Sequence, residues 1–547
     1  MAVTAEEIQS GQLSRFDSHL AQICSLDVDH GIRPFRMTSV ICTIGPACDD
    51  VETLEELIKT GMNICRLNMA HNTLEYHAKV IKNIRDAVHN SKSPSPVAIA
   101  VETGGQGIRL GSFLPELGTE VVFKKGEEVI LTNEVSLQDK CDKSTMYVNS
   151  AYFLQQAEPG HTVLVGDGLL SLKVKEKLAE GRVRAEVDTW GAAGNLCHVH
   201  IPKMVPAPVN QLTDTDKTII NFAMEHNVDM IFAAWVWSSD VVEEIRTMLG
   251  DKGDNMRIVA NIENYAGIKN FDSILMVADG IMVARGDLGM DLPPEKVFLA
   301  QKNLIGRSNA AGKPVICAAQ MLESMSLNPR PTRAEASDVA NAILDGADCV
   351  MLSRETAMGK APVKALQVIC AVAREAEMAV PHYHLYRQLR LLTPMPADST
   401  HSTAIAAVEA ANHSRASSII VVTSSGRSAA MIARYRPPCL IVAVTKSHHT
   451  VRALHLHRGV YPVLHDAASC NDWAEDVDFR IHHAMTICIK RGYFRTGHVC
   501  ILVTGSEQGS GWTNTVRTIV VPDLNQPQHY VNISNQQHLG VNIGGKK

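Results

Sequence analysis

Residues 257–264, RIVANIEN, and 280–287, GIMVARGD, each run an unbroken apolar stretch into a carboxylate. A strand buried on one face alternates apolar with polar residues. An unbroken run predicts burial on both faces, as in a parallel sheet covered by helices. The same form recurs at 39–46 (SVICTIGP), 62–69 (MNICRLNM), 96–103 (PVAIAVET), 229–236 (DMIFAAWV), 314–321 (PVICAAQM) and 349–356 (CVMLSRET). Helical periodicity fills the gaps, as in VETLEELIKTG (51–61), SDVVEEIRTML (239–249) and TRAEASDVANAILDG (332–346). Eight such units predict a (β/α)8 TIM barrel of the α/β class, with chemistry at the C-terminal ends of its strands.

Working outward, the barrel is expected over residues 37–105 and 210–380, after an N-terminal arm at 1–36. The unit after the third strand is interrupted by residues 106–209, which hold alternating strands separated by Gly and Asp turns. A small β-domain inserted there is positioned to act as a lid. Residues 381–523 carry a helix at AIAAVEAANHS and strands at SSIIVVTSS, CLIVAVTKS and HVCILVTGS, the pattern of a C-terminal open α/β domain. The polar stretch 524–547 is expected to be a flexible tail.

Composition narrows the function. A net charge of −6 argues against a partner held by a basic field, so no nucleic acid is expected. No apolar run is long enough to span a membrane. The 13 cysteines are scattered, odd in number and mostly inside apolar runs, which suits a reducing, cytoplasmic setting.

Glu263 and Asp287 end consecutive strand units, so the barrel brings them to one face. Two readings stand. They share a divalent ion such as Mg²⁺, which takes one or two carboxylates plus substrate oxygens; or each caps a helix or pairs with an arginine. Arg66, Asn68 and His71 follow the second strand and Arg109 the third. Guanidiniums there suit a phosphate or carboxylate ligand, or serve as ion-pair partners. The stretch GRSNAAGKP (306–314) is not a P-loop: its spacing is one residue too long, and Pro314 stands where the Mg²⁺-binding hydroxyl belongs. In TSSGRS (423–428), hydroxyls and a glycine run into a helix start, which suits either a phosphate ester or simple capping. GSEQGSG (505–511) could face it.

From about residue 37 to 523 the chain resembles the pyruvate kinase family, on ICTIGPA, RLNMAH, DGIMVARGDLGM, AGKPVICAAQMLESM and PRPTRAEASDVANAILDGADCVMLS. The resemblance implies phosphoryl transfer from phosphoenolpyruvate to ADP, giving pyruvate and ATP, with Mg²⁺ and usually K⁺, in a tetramer. It implies that Glu263 and Asp287 hold Mg²⁺, that Arg66 contacts the phosphoryl group, and that the Gly286–Asp287 backbone meets the substrate carboxylate. Asn68, His71 and Arg109 would face the nucleotide or the K⁺ site.

The departures lie at the chemistry. Asn261 stands where the family has its catalytic lysine, and Ala319 where a threonine hydroxyl helps deliver a proton. The implied K⁺ site, Asn68, Ala70, Glu102 and Thr103, is degraded: Ala70 replaces a serine ligand and Glu102 an aspartate. Gly104 and Gly107 replace a lysine and a glutamate, Trp235 and Trp237 fill small and basic positions, and Cys197 falls near an expected nucleotide-facing lysine. The family's regulated members bind a sugar bisphosphate on the loop matching Thr423, Ser425 and Ser428, with Trp473 and Arg480. Here Ser424 replaces a lysine, and Ser506 and Glu507 replace Trp and Arg.

Removing a charge donor from a phosphoryl-transfer site costs on the order of 10³-fold in rate, about 4 kcal/mol. The expectation is therefore a homologue whose activity is strongly weakened or lost. It binds metal and phosphorylated ligands, as a homo-tetramer or a hetero-tetramer with an active relative. The alternative is a working enzyme in which another cation, such as Arg354 in LSRET, replaces the lysine. A pure scaffold would require the two carboxylates to be vestigial.

Overall fold

The computed structural model describes residues 19–523 apart from 106, 119, 167, 169, 205–211, 469, 471, 508 and 510. The tail expected at 524–547, the first half of the N-terminal arm and the junction near 209 lie outside the described residues.

Eight strands close a barrel: β1 (Ser39–Thr43), β2 (Ile64–Asn68), β3 (Ala98–Glu102), β4 (Met230–Ala233), β5 (Arg257–Ile262), β6 (Gly280–Ala284), β7 (Val315–Ala318) and β8 (Cys349–Leu352). Each pairs in parallel with its sequence neighbours, and β1 closes on β8. Burial on both faces explains the unbroken apolar runs. Ile41, Phe232, Val259 and Met282 fill the barrel interior, while Cys42, Ile231, Ile258 and Ile281 pack outward against the helices.

Helix starts are fixed by side chains. Thr332 and Glu335 form a capping box at the helix Arg333–Leu344, and Thr213 and Asp216 form one at Asp214–Glu225. The segment GKP, set aside as a P-loop, ends a helix instead of starting one. Gly312 caps Pro294–Ala311 in the left-handed conformation.

The insertion after β3 is a β-domain around a six-stranded sheet, with Phe123 and Phe153 fully buried in its own core. The C-terminal domain holds five strands: β9 (Ser418–Val422), β10 (Leu440–Thr445), β11 (Val460–Leu464), β12 (Val499–Gly505) and β13 (Thr513–Val520). Their order is β11-β10-β9-β12-β13, with β13 antiparallel on the edge. This domain grips the N-terminal end of the barrel. Arg436 makes a buried two-point ion pair with Asp348, before β8, and Arg452 bonds Asp229, before β4. The opposite end is left to the lid.

Candidate active site

The ends of β5 and β6 deliver the two carboxylates. Glu263 follows β5 directly and is buried; Asp287 sits in the first turn of the helix Arg285–Asp291, immediately after β6. Glu263 Oε2 accepts the Trp235 backbone N–H at 2.6 Å, and Oε1 accepts the Asn261 side-chain amide at 3.3 Å. Burial, reinforced by the charges of Asp287 and Glu102, pushes the Glu263 carboxyl well above the usual carboxylate range. A buried carboxyl kept from ionising by neighbouring carboxylates would be relieved by a cation. Among the described residues no group of three or more His, Cys, Asp and Glu side chains makes a self-contained metal site. A cation on Glu263 and Asp287 therefore needs oxygens from ligand and water, which suits Mg²⁺.

Asn261 is 0% exposed, and its Oδ1 has no hydrogen-bond partner. The position that resembles the catalytic lysine thus holds a neutral amide turned onto Glu263. At the end of β7, one strand beyond β6, Ala319 adopts a left-handed backbone, φ 70°. Its carbonyl accepts the buried Arg285 guanidinium at 2.8 Å. The Ala319 methyl lies 3.4 Å from where a Cβ on Gly286 would sit.

Arg66 is buried and bonds Glu102 rather than Glu263 or Asp287. Nε and Nη2 bond the two Glu102 oxygens at 2.7 and 2.5 Å, and Nη1 bonds Thr43 Oγ1 at 2.9 Å. Burial works against the charge of Arg66, but Glu102, Glu263 and Asp287 together outweigh it and raise the pKa. Arg109 Nη1 donates to the Leu196 carbonyl at 3.0 Å. Burial lowers its pKa, opposed by Asp287 and Glu263. His71 is likewise lowered by burial, with Arg109 and Arg66 adding to the effect. The field of the two carboxylates thus reaches both arginines. Arg354 lies exposed at the start of a short helix, Arg354–Ala357.

Trp235 crowds Gly105 and Gly107 but not Gly104. Its backbone is left-handed, φ 56°, and its indole stacks on His198 of the lid at 5.4 Å between ring centres. A Cβ on Gly105 would lie 2.7 Å from that indole, and one on Gly107 3.0 Å from it. Gly105 also needs its positive φ of 63°, and its N–H is held by Asp216 of the capping box at 2.9 Å. A cavity of about 280 Å³ opens beside Trp235, walled by Tyr152, His200 and Trp237. The partnership of Trp235 with His198 was not anticipated from sequence; the pairing of one replaced residue, Gly107, with Trp235 was the available signal.

The C-terminal domain gathers Thr423, Ser424, Ser425, Ser428, Trp473 and Arg480 around one cavity of about 690 Å³. Glu507 and glycines 509 and 511 face them across it. Sequence reasoning missed Lys446, which lines the same cavity and bonds Asp476 Oδ1 at 2.6 Å. Arg480 bonds the other Asp476 oxygen, and Arg427 pairs with Asp398 at 2.6 Å.

Known proteins share this architecture. The family pattern described as "Pyruvate kinase, barrel domain" matches residues 35–366, and "Pyruvate kinase, alpha/beta domain" matches 401–519. Pyruvate kinase PKLR of Homo sapiens is 46% identical over 92% of this chain and 88% of its own length. Pyruvate kinase of Schizosaccharomyces pombe is 42% identical over 89% and 95%, and that of Kluyveromyces lactis 40% over 92% and 100%. Both domains and nearly the full length agree: the chain belongs to the pyruvate kinase family.

Proposed function

We propose that this protein binds Mg²⁺ and phosphoenolpyruvate at the barrel mouth but transfers the phosphoryl group to ADP weakly or not at all. Glu263 and Asp287 would hold the metal, which when bound neutralises their charge and polarises phosphoryl oxygens. Arg66 would contact the phosphoryl group and the Gly286–Asp287 backbone the substrate carboxylate, with Asn68, His71 and Arg109 toward the nucleotide. The observation that carries this reading is Asn261. It is fully buried, uncharged, and its amide is engaged by Glu263. It can donate one hydrogen bond to a phosphoryl oxygen only by leaving Glu263, and it brings no charge to the transition state. Ala319 supplies no hydroxyl for proton delivery. The reading places the protein in the cytoplasm, as a homo-tetramer or as a partner of an active relative.

The test joins binding to turnover. Millimolar Mg²⁺ plus phosphoenolpyruvate should raise the melting temperature, since ligand binding to the native state stabilises by RT ln(1 + [L]/Kd). A coupled pyruvate assay on the same sample should show rates on the order of 10³-fold below the usual 10–100 s⁻¹. No thermal shift would favour a scaffold with a vestigial metal pair. Ordinary turnover would mean that another cation serves, with Arg354 the first to replace.

A further inference from the structure

The resemblance assigns a monovalent cation to Asn68, position 70, Glu102 and Thr103. The side chains there do not fit one. Ala70 offers no side-chain oxygen. Asn68 Oδ1 accepts the Ala70 backbone N–H at 3.1 Å, and Thr103 Oγ1 accepts the Ala234 N–H at 3.0 Å. Glu102 is 6% exposed, and both its oxygens face Arg66 in a two-point ion pair at 2.7 and 2.5 Å. Each side-chain oxygen that would surround a cation thus already accepts a hydrogen bond, and both Glu102 oxygens are held by a guanidinium.

Charge leads to the same place. Glu102 brings one negative charge and the guanidinium against it one positive charge, so the pair is closed. A K⁺ ion beside it would meet a like charge within a few ångströms, in a desolvated site where such repulsion is weakly screened. Side-chain length makes the pair possible: glutamate reaches one methylene further than aspartate and meets the guanidinium fork edge-on. The pair and Thr43 use three of the five N–H donors of Arg66 and fix its plane, leaving two for an anion.

We propose that Arg66 replaces the monovalent cation on Glu102, so that this site takes its phosphorylated ligand without K⁺. Glu102 is then a positioning residue: it acts by orienting Arg66. The proposal rests on the binding reading above, and its test separates the two.

The melting shift given by Mg²⁺ plus phosphoenolpyruvate is measured in potassium chloride and in tetramethylammonium chloride at equal ionic strength. The two shifts should agree; a shift that falls by half or more without K⁺ overturns the proposal. The double variant Ala70→Ser with Glu102→Asp restores an oxygen and shortens the carboxylate. It should need about tenfold more phosphoenolpyruvate for half-saturation in tetramethylammonium than in potassium, a salt dependence that general loosening of the fold would not produce. If the double variant folds but shows the same affinity in both salts, Glu102 is not the determinant and the proposal fails. If the unmodified chain shows no shift in either salt, the binding reading fails and thallous ion decides alone. Crystals soaked in Tl⁺ should show no anomalous peak among Asn68, Glu102 and Thr103, and a peak there overturns the proposal.

Discussion

At the barrel mouth, Glu263 and Asp287 remain, and the residue beside Glu263 that resembles a lysine position is a buried amide. In the C-terminal cavity the cations present are paired: Lys446 and Arg480 share Asp476, and Arg427 is held by Asp398. On the resemblance, the first site holds an amide where a positive charge is expected. The second, where Ser424 and Glu507 stand at positions that resemble a lysine and an arginine, neutralises the positive charges it holds and carries Glu507 at the rim. Neither set of side chains forms the strand burial and helix capping that carry most of the stability, so both sites can change while the fold is kept. The difference is in what a single substitution can restore.

The largest effect should come from putting the charge back. Asn261→Lys is expected to raise turnover on the order of 10³-fold, about 4 kcal/mol of transition-state stabilisation. The gain should appear in kcat more than in KM, since the ammonium matters most as the phosphoryl group transfers. Adding Ala319→Thr should raise pyruvate yield further, and by more than the threonine change does alone. A double variant that binds Mg²⁺ and substrate yet stays inactive would place the defect elsewhere, with the Trp235–His198 contact between barrel and lid the first suspect.

The contrast also shows what a sequence makes visible. The eight barrel strands were legible because each buries both faces, so apolar residues run unbroken. Two strands of the C-terminal sheet were not. β11 contains Pro462, tolerated because β11 lies on the sheet edge, and β13 mixes exposed polar residues into an antiparallel edge. Candidate site residues were legible where a strand end fixes them, as with Glu263. Partners that meet through the fold were not: His198 reaches Trp235 from the lid, Arg66 turns to Glu102 across neighbouring strands, and Lys446 meets Asp476 from another element.

The next largest effect belongs to the cavity. Glu507→Arg removes a negative charge and adds a positive one facing the TSSGRS loop. It should tighten binding of a sugar bisphosphate such as fructose 1,6-bisphosphate by roughly ten- to a hundredfold, in line with the 1.5–3 kcal/mol of a charge-assisted hydrogen bond. In the unmodified chain, calorimetry should detect no micromolar binding. If it does, Lys446 and Arg480 must leave Asp476 to donate to the ligand, and the neutralised state of the cavity is easily broken.

The smallest effect tests that neutralisation directly. Burial raises the Asp476 pKa, but hydrogen bonds and charge from Lys446 and Arg480 outweigh it and hold the carboxyl below its ordinary value of 3.8. A carboxyl depressed in the fold stabilises fully above its unfolded value and loses that contribution as pH falls through the folded one. Asp476 should therefore contribute its whole stabilisation at every pH from 8 down to 5. Asp476→Asn should lower the melting temperature by an amount that is flat over that range and shrinks only below about pH 4. The same variant should improve bisphosphate affinity only a fewfold, since it frees two cations while Glu507 stays. A melting difference that already shrinks near pH 6 would mean the carboxylate is not held by its two cations in solution. The C-terminal cavity would then hold free positive charge, and would no longer contrast with the barrel mouth.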